Sequence, residues 1–396
     1  MSKSLYIGLM SGTSIDAMDG ILASFDDARP KLLASSSRKW TDKEREILNR
    51  LSSPDPCDPD LVYKSALDIS KAELEVVQDL LEKTGIKPHE VTAIGAHGQT
   101  VRHRPELGYT VQLSSPSYLA VKSGIDVIAH FREADLANGG EGAPLTPAFH
   151  SYLMGSSSEP RYVLNLGGIA NLTVMGAGGI VLEGYDTGPS NTLLDLASRT
   201  FLNTPYDKDA KTALKGRVNT IWLGRLLDNP YFKKDPPKST GRELFNRTYV
   251  EEIFREVSAK PELIPDLMAT LCEFTVVSIC DALENSMRRQ TLAGGTLITC
   301  GGGASNPLIR QGLCENCADM GVEVRDCSEF GVDPQLLEPL CFAWMAKLFV
   351  EGRRLPLGGA SKAPSDTIAG SLSPAPGGWF ETLRGARSSS MEDLQP

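Results

Sequence analysis

Three short glycine-rich stretches each follow directly on an apolar run: Gly12-Thr13-Ser14 after Leu5–Leu9, Gly167-Gly168 after Tyr162–Leu166, and Gly301-Gly302-Gly303 after Thr296–Cys300. Glycine lets backbone N–H groups approach a ligand closely, and the Thr13 and Ser14 hydroxyls add donors suited to phosphate oxygens. One such turn alone is as readily a plain hairpin; three together read as a nucleotide cradle. None matches GxxxxGK[ST], and no GxGxxG opens a helix after the first apolar run. P-loop and dinucleotide readings therefore fail.

Carboxylates lie beside these turns. Asp16, Asp19 and Asp186 stand where Mg²⁺ bound to ATP phosphates needs oxygen ligands. Asp186, in GYDTGPSN, sits at a strand end before a Gly-Pro turn, where a general base can be held rigidly toward a bound hydroxyl or water. It serves equally well as a cap for a helix starting near Pro189. His97 and Gln99 in HGQTVRHRP, with Arg132 and Asp135 in FREADLANGG, are polar groups of the kind a desolvated sugar requires, or simply satisfied loop polars. Lys238 and Arg242 in DPPKSTGRELFN suit an anionic group or a solvated loop.

The elements that position these residues follow from local pattern. LYIGL, the first glycine turn and ILASF predict a β-hairpin, and RYVLNLGGIANLTVM followed by GIVLEGYD repeats that grammar downstream. Two such openings imply two similar lobes. Residues 60–85 and 265–290 carry apolar residues at helical spacing, VTAIGAHGQTV reads as a buried strand with a polar tip, and GTLITCGGGASNPLI as strand, turn and helix. The alternation predicts an α/β fold with mixed or parallel sheets flanked by helices.

With 396 residues, the chain is roughly twice a usual domain, and 41% hydrophobic residues are ample for a core. A net charge of −10 argues against a broad grip on nucleic acid or anionic membrane. No apolar stretch reaches spanning length and no secretory signal opens the chain, so a cytoplasmic enzyme is expected. Eight scattered cysteines imply reduced thiols, and Cys314–Cys317 has no second pair to make a zinc site. Five histidines form no metal-ligand spacing.

As a set, GLMSGTSIDAMDG, HGQTVRHRP, GEGAPLTPAFH, NLGGIANLT, GYDTGPSN, DPPKSTGRELFN, CGGGASNPLI and Phe342-Ala343-Trp344 resemble, in order, the blocks of the anhydro-N-acetylmuramic acid kinases, within the actin-like ATPase and sugar-kinase superfamily. The resemblance runs from residue 5 to about 375. It implies two actin-like, ribonuclease H-like domains with a nucleotide cleft between them: domain I over 1–127 plus about 345–376, domain II over 128–344, and a flexible tail over 377–396. It implies ATP and Mg²⁺ as cofactors, a small anhydro sugar as partner, and a homodimer. Asp186 falls on the family's catalytic base, an Asp of ordinary pKa near 3.9 that relies on positioning for its rate. The phosphates are assigned to Gly12, Thr13, Ser14, Asp19, Gly167 and Gly168. Gly301, Gly302, Gly303 and Asn306 take the adenosine side; Asp16 and Glu338 take the metal; His97, Gln99, Arg132 and Asp135 take the sugar.

Four positions depart from the family pattern: Ala17, Ser190, Glu141 and His130. Negative backbone angles at Ala17 and Ser190 would absorb those two changes. His130 replaces a carboxylate beside Arg132 and so puts the sugar's identity in question. Plain 1,6-anhydroglucose (levoglucosan) stands as the alternative substrate, and an actin-like nucleotide-binding scaffold without turnover as the alternative class.

Overall fold

The computed structural model describes residues 4–381 apart from Thr13, Ala28, Pro54, Arg242, Val332, Pro334 and Gln335. The chain divides into two compact units: residues 1–149, 336–356 and 361–396, and residues 150–335 with 357–360. The first crossing falls at Phe149/His150 rather than 127/128, because β6 (Val127–Ala129) and the segment after it stay with the first sheet. The return falls at Gln335/Leu336 rather than near 345, since the helix Leu337–Val350 packs as one piece on that sheet. Of the tail expected over 377–396, the part beyond Glu381 lies outside the described residues. The part before it is anchored: the buried Asp126 carboxylate accepts from the Ala375 N–H at 2.7 Å and the Phe380 N–H at 2.8 Å.

In the first unit β1 (Leu5–Ser11) and β2 (Ala17–Ser24) form the expected hairpin, and β3 (Lys31–Lys39) continues it antiparallel. β4 (Ala93–Arg104) lies parallel to β1, and β6 lies parallel to β4. β5 (Tyr109–Leu113) folds back on β4, and β12 (Ser371–Ser373) closes the far edge. In the second unit β7 (Arg161–Leu166), β8 (Ile169–Met175) and β9 (Val181–Pro189) form an antiparallel meander, with β10 (Gly295–Cys300) parallel to β7 and β11 (Val322–Asp326) parallel to β10. The order β11-β10-β7-β8-β9 repeats β6-β4-β1-β2-β3 with the same pairing senses. The fold is α/β, with one ribonuclease H-like sheet in each unit.

The helix Pro59–Thr84 forms where its pattern predicts. Asp58 caps it by accepting from the Asp60 N–H, Pro59 pre-sets its first turn, and Gly85 ends it at φ 69°. Ala66, Ile69, Val76, Val77 and Leu80 recur at three- and four-residue spacing and are buried in the first unit's core. The helix Ile264–Arg289 is long and apolar enough to pass for a membrane span, contrary to the expectation from sequence, but most of it is buried in the second unit's core. The helix Leu337–Val350 rests on β1 and β4 where both strands carry glycine. A Cβ at Gly8 would stand 1.8 Å from the Pro339 carbonyl oxygen, and one at Gly95 2.0 Å from that of Phe342.

One buried group on the Pro59–Thr84 helix opposes the fold. Glu73 is fully buried; its Oε2 accepts from the Ser114 hydroxyl at 2.8 Å and the Ser70 hydroxyl at 3.0 Å, while Oε1 has no partner among the described residues. Burial pushes its pKa up to about 7 against those two hydroxyls. A raised carboxylate pKa leaves stability complete below the unfolded value and erodes it as pH rises through the folded one. Glu73→Gln is therefore expected to match wild type near pH 4.5 and to be more stable at pH 8 by on the order of 3 kcal/mol, read from urea unfolding at both pH values.

Candidate active site

In the first unit the turn after β1 is braced from beneath by Gln99. Its amide nitrogen donates to the Gly12 carbonyl at 3.2 Å, and its carbonyl accepts from the Ser11 hydroxyl at 2.6 Å, which in turn accepts from the Trp40 indole at 3.0 Å. Gln99 is wholly buried with its polar atoms engaged, so it supports the glycine turn and does not face a sugar. Ile15 closes the turn through its N–H to the Gly12 carbonyl, at φ 56°, a strained conformation for a β-branched residue that its buried side chain holds in place. Ser14 is exposed, and Thr13 lies outside the described residues.

His97 and Arg132 form one device. Both the Nε and an Nη of Arg132 reach His97 Nε2, at 3.2 and 3.0 Å, so that nitrogen must be the acceptor and Nδ1 carries the proton it donates to the Gly98 carbonyl. Burial, reinforced by the Arg132 charge, holds the His97 pKa well below 6.5 and keeps it neutral. Arg132 also donates to the Gly142 carbonyl at 2.8 Å, which leaves two of its five N–H groups, and among the described residues it has no carboxylate partner. Burial lowers its pKa to about 10, still fully charged at neutral pH. Glu338 lies near enough for its charge to act on the guanidinium, which makes no direct ion pair among the described residues and keeps two N–H groups free. Asp135 does not join it: its carboxylate accepts from the Gly142 N–H at 2.8 Å and the Ser361 hydroxyl at 2.6 Å, bracing the 139–142 loop.

The departures from the family pattern settle locally. His130 takes φ 57° and turns its ring to Glu133 at 3.3 Å, so Arg132 is oriented by His97 and Gly142 instead. Glu141 pairs with Lys362. Ala17 lies in β2, and Ser190 has φ −114°, so neither needs glycine.

Glu338 stands in the first turn of the Leu337–Val350 helix, where its charge suits the helix N-terminus. Crowding by protein raises its pKa, Arg132 opposes this, and Asp19 adds like-charge repulsion. Asp19 is therefore the carboxylate whose charge acts on Glu338. Asp16 is exposed and contributes its backbone carbonyl to the Trp40 N–H. Among the described residues no three His, Cys, Asp or Glu form a metal site. Two carboxylates close enough to repel each other do fit Mg²⁺, which keeps several waters and takes its other ligands from phosphates.

In the second unit the carbonyls of Gly167 and Gly168 are engaged by the start of the helix Asn191–Ala197. Gly167 O accepts from the Asn191 N–H and side-chain amide, and Gly168 O from Ser190, Thr192 and the Thr192 hydroxyl. Donors are what the turn has left to offer an anion. Gly301, at φ 82°, packs where a Cβ would meet Asn165 Oδ1 at 2.5 Å, and Gly303 where one would meet Leu166, so the two turns lie against each other. Beside them opens a cavity of about 400 Å³, lined by Gly302, Gly303, Asn306, Tyr206, Asp207 and Cys272 among others. Asn306 lines it as a helix cap, its side-chain oxygen accepting from the Leu308 and Ile309 N–H groups. Tyr206 and Asp207 were not singled out from sequence; Tyr206, exposed beside a glycine-lined cavity, is an aromatic surface that only the fold brings there.

Asp186 lies on β9 where the pairing with β8 slips between Ala170 and Asn171, a bulge that re-aims the strand. It caps no helix: Ser190 holds the cap position of Asn191–Ala197, and Asp186 Oδ2 accepts instead from the Thr240 N–H at 2.9 Å. Burial raises its pKa from 3.8 to about 6, with Glu243 adding and the Thr240 N–H opposing. An Asp of ordinary pKa was expected; the site makes it a stronger base that still ionises at neutral pH.

The family model for anhydro-N-acetylmuramic acid kinase matches residues 4–375. A protein named anhydro-N-acetylmuramic acid kinase from Shewanella pealeana is 40% identical over 378 residues, 95% of this chain and all of its own. One of the same name from Burkholderia orbicola is 40% identical over 375 residues, 93% of this chain and 96% of its own. Among solved structures, component A of the Acidaminococcus fermentans (R)-2-hydroxyglutaryl-CoA dehydratase aligns with 86% of this chain and 96% of its own at 13% identity and a TM-score of 0.44, too distant to carry an argument. The near-complete match to the family model, with two relatives at 40% identity, establishes that the chain belongs to the anhydro-N-acetylmuramic acid kinase family.

Proposed function

We propose that this kinase converts ATP, water and 1,6-anhydro-N-acetylmuramic acid into ADP and the sugar 6-phosphate. Asp186 takes a proton from water as its oxygen bonds to C1; the bond from C1 to the bridge oxygen breaks, and that oxygen, now O6, attacks the γ-phosphorus as the bond to ADP breaks. The observation that carries this reading is Asp186 itself, a half-buried carboxylate with its pKa raised to about 6, on a bulged strand and clasped by Thr240. In the first unit the turn at Gly12 suits a phosphate and Asp19 with Glu338 the Mg²⁺ that neutralises phosphate charge; in the second, the turn at 167–168 suits a phosphate and the cavity beside Gly302 and Gly303 a nucleoside. A homodimer in the cytoplasm completes the reading, testable by light scattering and cell fractionation.

Arg132 supports the amino sugar over levoglucosan, because only the former carries a lactyl carboxylate for the two N–H groups that the guanidinium has left. The test is ADP release with both sugars side by side. Preference for levoglucosan would move the reading to the plain anhydro sugar, and silence with both would favour a scaffold. In the same assay Arg132→Met is expected to lower kcat/KM for the muramic substrate by roughly 10²-fold, the scale of a lost buried charge contact, and levoglucosan turnover much less, through the loss of its charge beside Glu338 alone.

A further inference from the structure

β9 is the edge strand of its sheet, so at Asp186 the backbone N–H and C=O that point outward have no neighbouring strand to bond. The segment 231–240 supplies partners at that one residue. The Asp186 N–H donates to the Lys238 carbonyl at 3.1 Å, its carbonyl accepts from the Tyr231 hydroxyl at 2.6 Å, and its carboxylate accepts from the Thr240 N–H at 2.9 Å. Tyr231 is buried and packs edge-on against Phe245, which is itself fully buried. Lys238 closes the arrangement. Its ammonium donates to the Tyr231 carbonyl at 3.3 Å and stands 4.9 Å over the Tyr231 ring and 5.8 Å over the ring of Tyr185, whose hydroxyl donates to the Ala282 carbonyl on the long buried helix.

We propose that Tyr231 and Lys238 are positioning residues for Asp186: the hydroxyl and the cation seated on two tyrosine rings hold the base in one orientation. The inference rests on the reading of Asp186 as the base. Among the described residues Lys238 makes no ion pair, and a half-buried ammonium facing two aromatic rings is a cation–π clamp rather than a solvated loop charge or an anion receptor. Rigidity matters here because a base displaced by about 1 Å loses on the order of 10²-fold in rate.

The test uses the full chain with saturating Mg²⁺ATP. Tyr231→Phe and Lys238→Met are expected to lower kcat by roughly 10- to 100-fold while KM for sugar and ATP stays within about threefold. Lys238→Arg keeps a cation over the rings and is expected to recover most of kcat. Asp186→Asn runs beside them: if it retains turnover, the base reading fails and the inference with it. If Asp186→Asn is dead while Tyr231→Phe and Lys238→Met keep wild-type kcat, only the positioning role is overturned. It is also overturned if both variants merely melt earlier, with kcat per folded molecule unchanged, or if Lys238→Arg behaves as Lys238→Met does.

Discussion

Asp186→Asn is expected to abolish sugar-dependent ADP release, a fall of roughly 10³-fold or more, while ATP affinity stays near wild type. The amide keeps an oxygen for the Thr240 N–H, so the clasp persists, and only the proton acceptor is removed. The same substitution is expected to stabilise the protein. The folded pKa of Asp186 is raised from 3.8 to about 6, chiefly by burial, so ionising it works against the native state. Wild-type stability is therefore complete below pH 4 and declines as pH rises through 6; the variant lacks that decline. At pH 8 it should be more stable by about 2 to 3 kcal/mol, and at pH 4 no more stable than wild type. Turnover by wild type runs the other way, losing its base as pH falls through about 6. Thermal melts at both pH values, paired with a pH profile of kcat, check all of this; a destabilised variant that no longer binds ATP would make Asp186 a structural residue or a metal anchor.

The largest loss of stability is expected at Gly8. A Cβ there would meet the Pro339 carbonyl oxygen at 1.8 Å and the Ala343 nitrogen at 2.7 Å, both backbone atoms with no flexible end to give way. Gly8→Ala must move the Leu337–Val350 helix off β1, at about 3 kcal/mol or more, the upper end of ordinary overpacking. Because Glu338 rides in the first turn of that helix, the shift also displaces its carboxylate. Gly12→Ala is the control. Its Cβ would meet nothing nearer than Ser14 Oγ at 3.8 Å, and its φ lies outside the left-handed region, so stability should hold within about 0.5 kcal/mol. Urea unfolding of the two variants side by side measures the contrast. A Gly8→Ala protein as stable as wild type would mean that the helix and strand do not approach as closely as described.

Both glycines look alike in the string GLMSG; one is a contact point for a helix encoded far away and the other a turn. That difference shows where sequence reading stops. The helix Pro59–Thr84 was legible to within a residue at each end because apolar spacing and the glycine at 85 are local signals, while its Asp58 cap was found only in the structure. The two hairpin openings were legible because alternation and Gly-Gly turns lie within a few residues of one another. The parallel strands that complete the matching order of the two sheets, β4 and β6 in one and β10 and β11 in the other, are long-range pairings that those openings do not specify. The charge on the 235–246 stretch was visible, but that Lys238 lies on Tyr231 and Tyr185 was not, since loop composition says nothing of which rings it will meet.

By itself, then, the sequence determined the family, the α/β class, the three glycine turns and the candidate acid at Asp186, because residue type and near-neighbour spacing encode all of these. Tertiary structure alone decided the roles. Gln99 became a brace because its partners, Ser11 and Gly12, lie 88 and 87 residues away. Asp135 became a loop brace through Ser361, 226 residues on. Asp19, not Asp16, came to act on the charge of Glu338, because β2 takes in Asp19 while Asp16 stays exposed before it, and the helix carrying Glu338 is encoded more than 300 residues on. Asp186 acquired its raised pKa from burial and from a segment some 54 residues downstream. A pKa, a hydrogen-bond partner and a neighbouring charge are properties of what surrounds a group, and only folding brings those surroundings together.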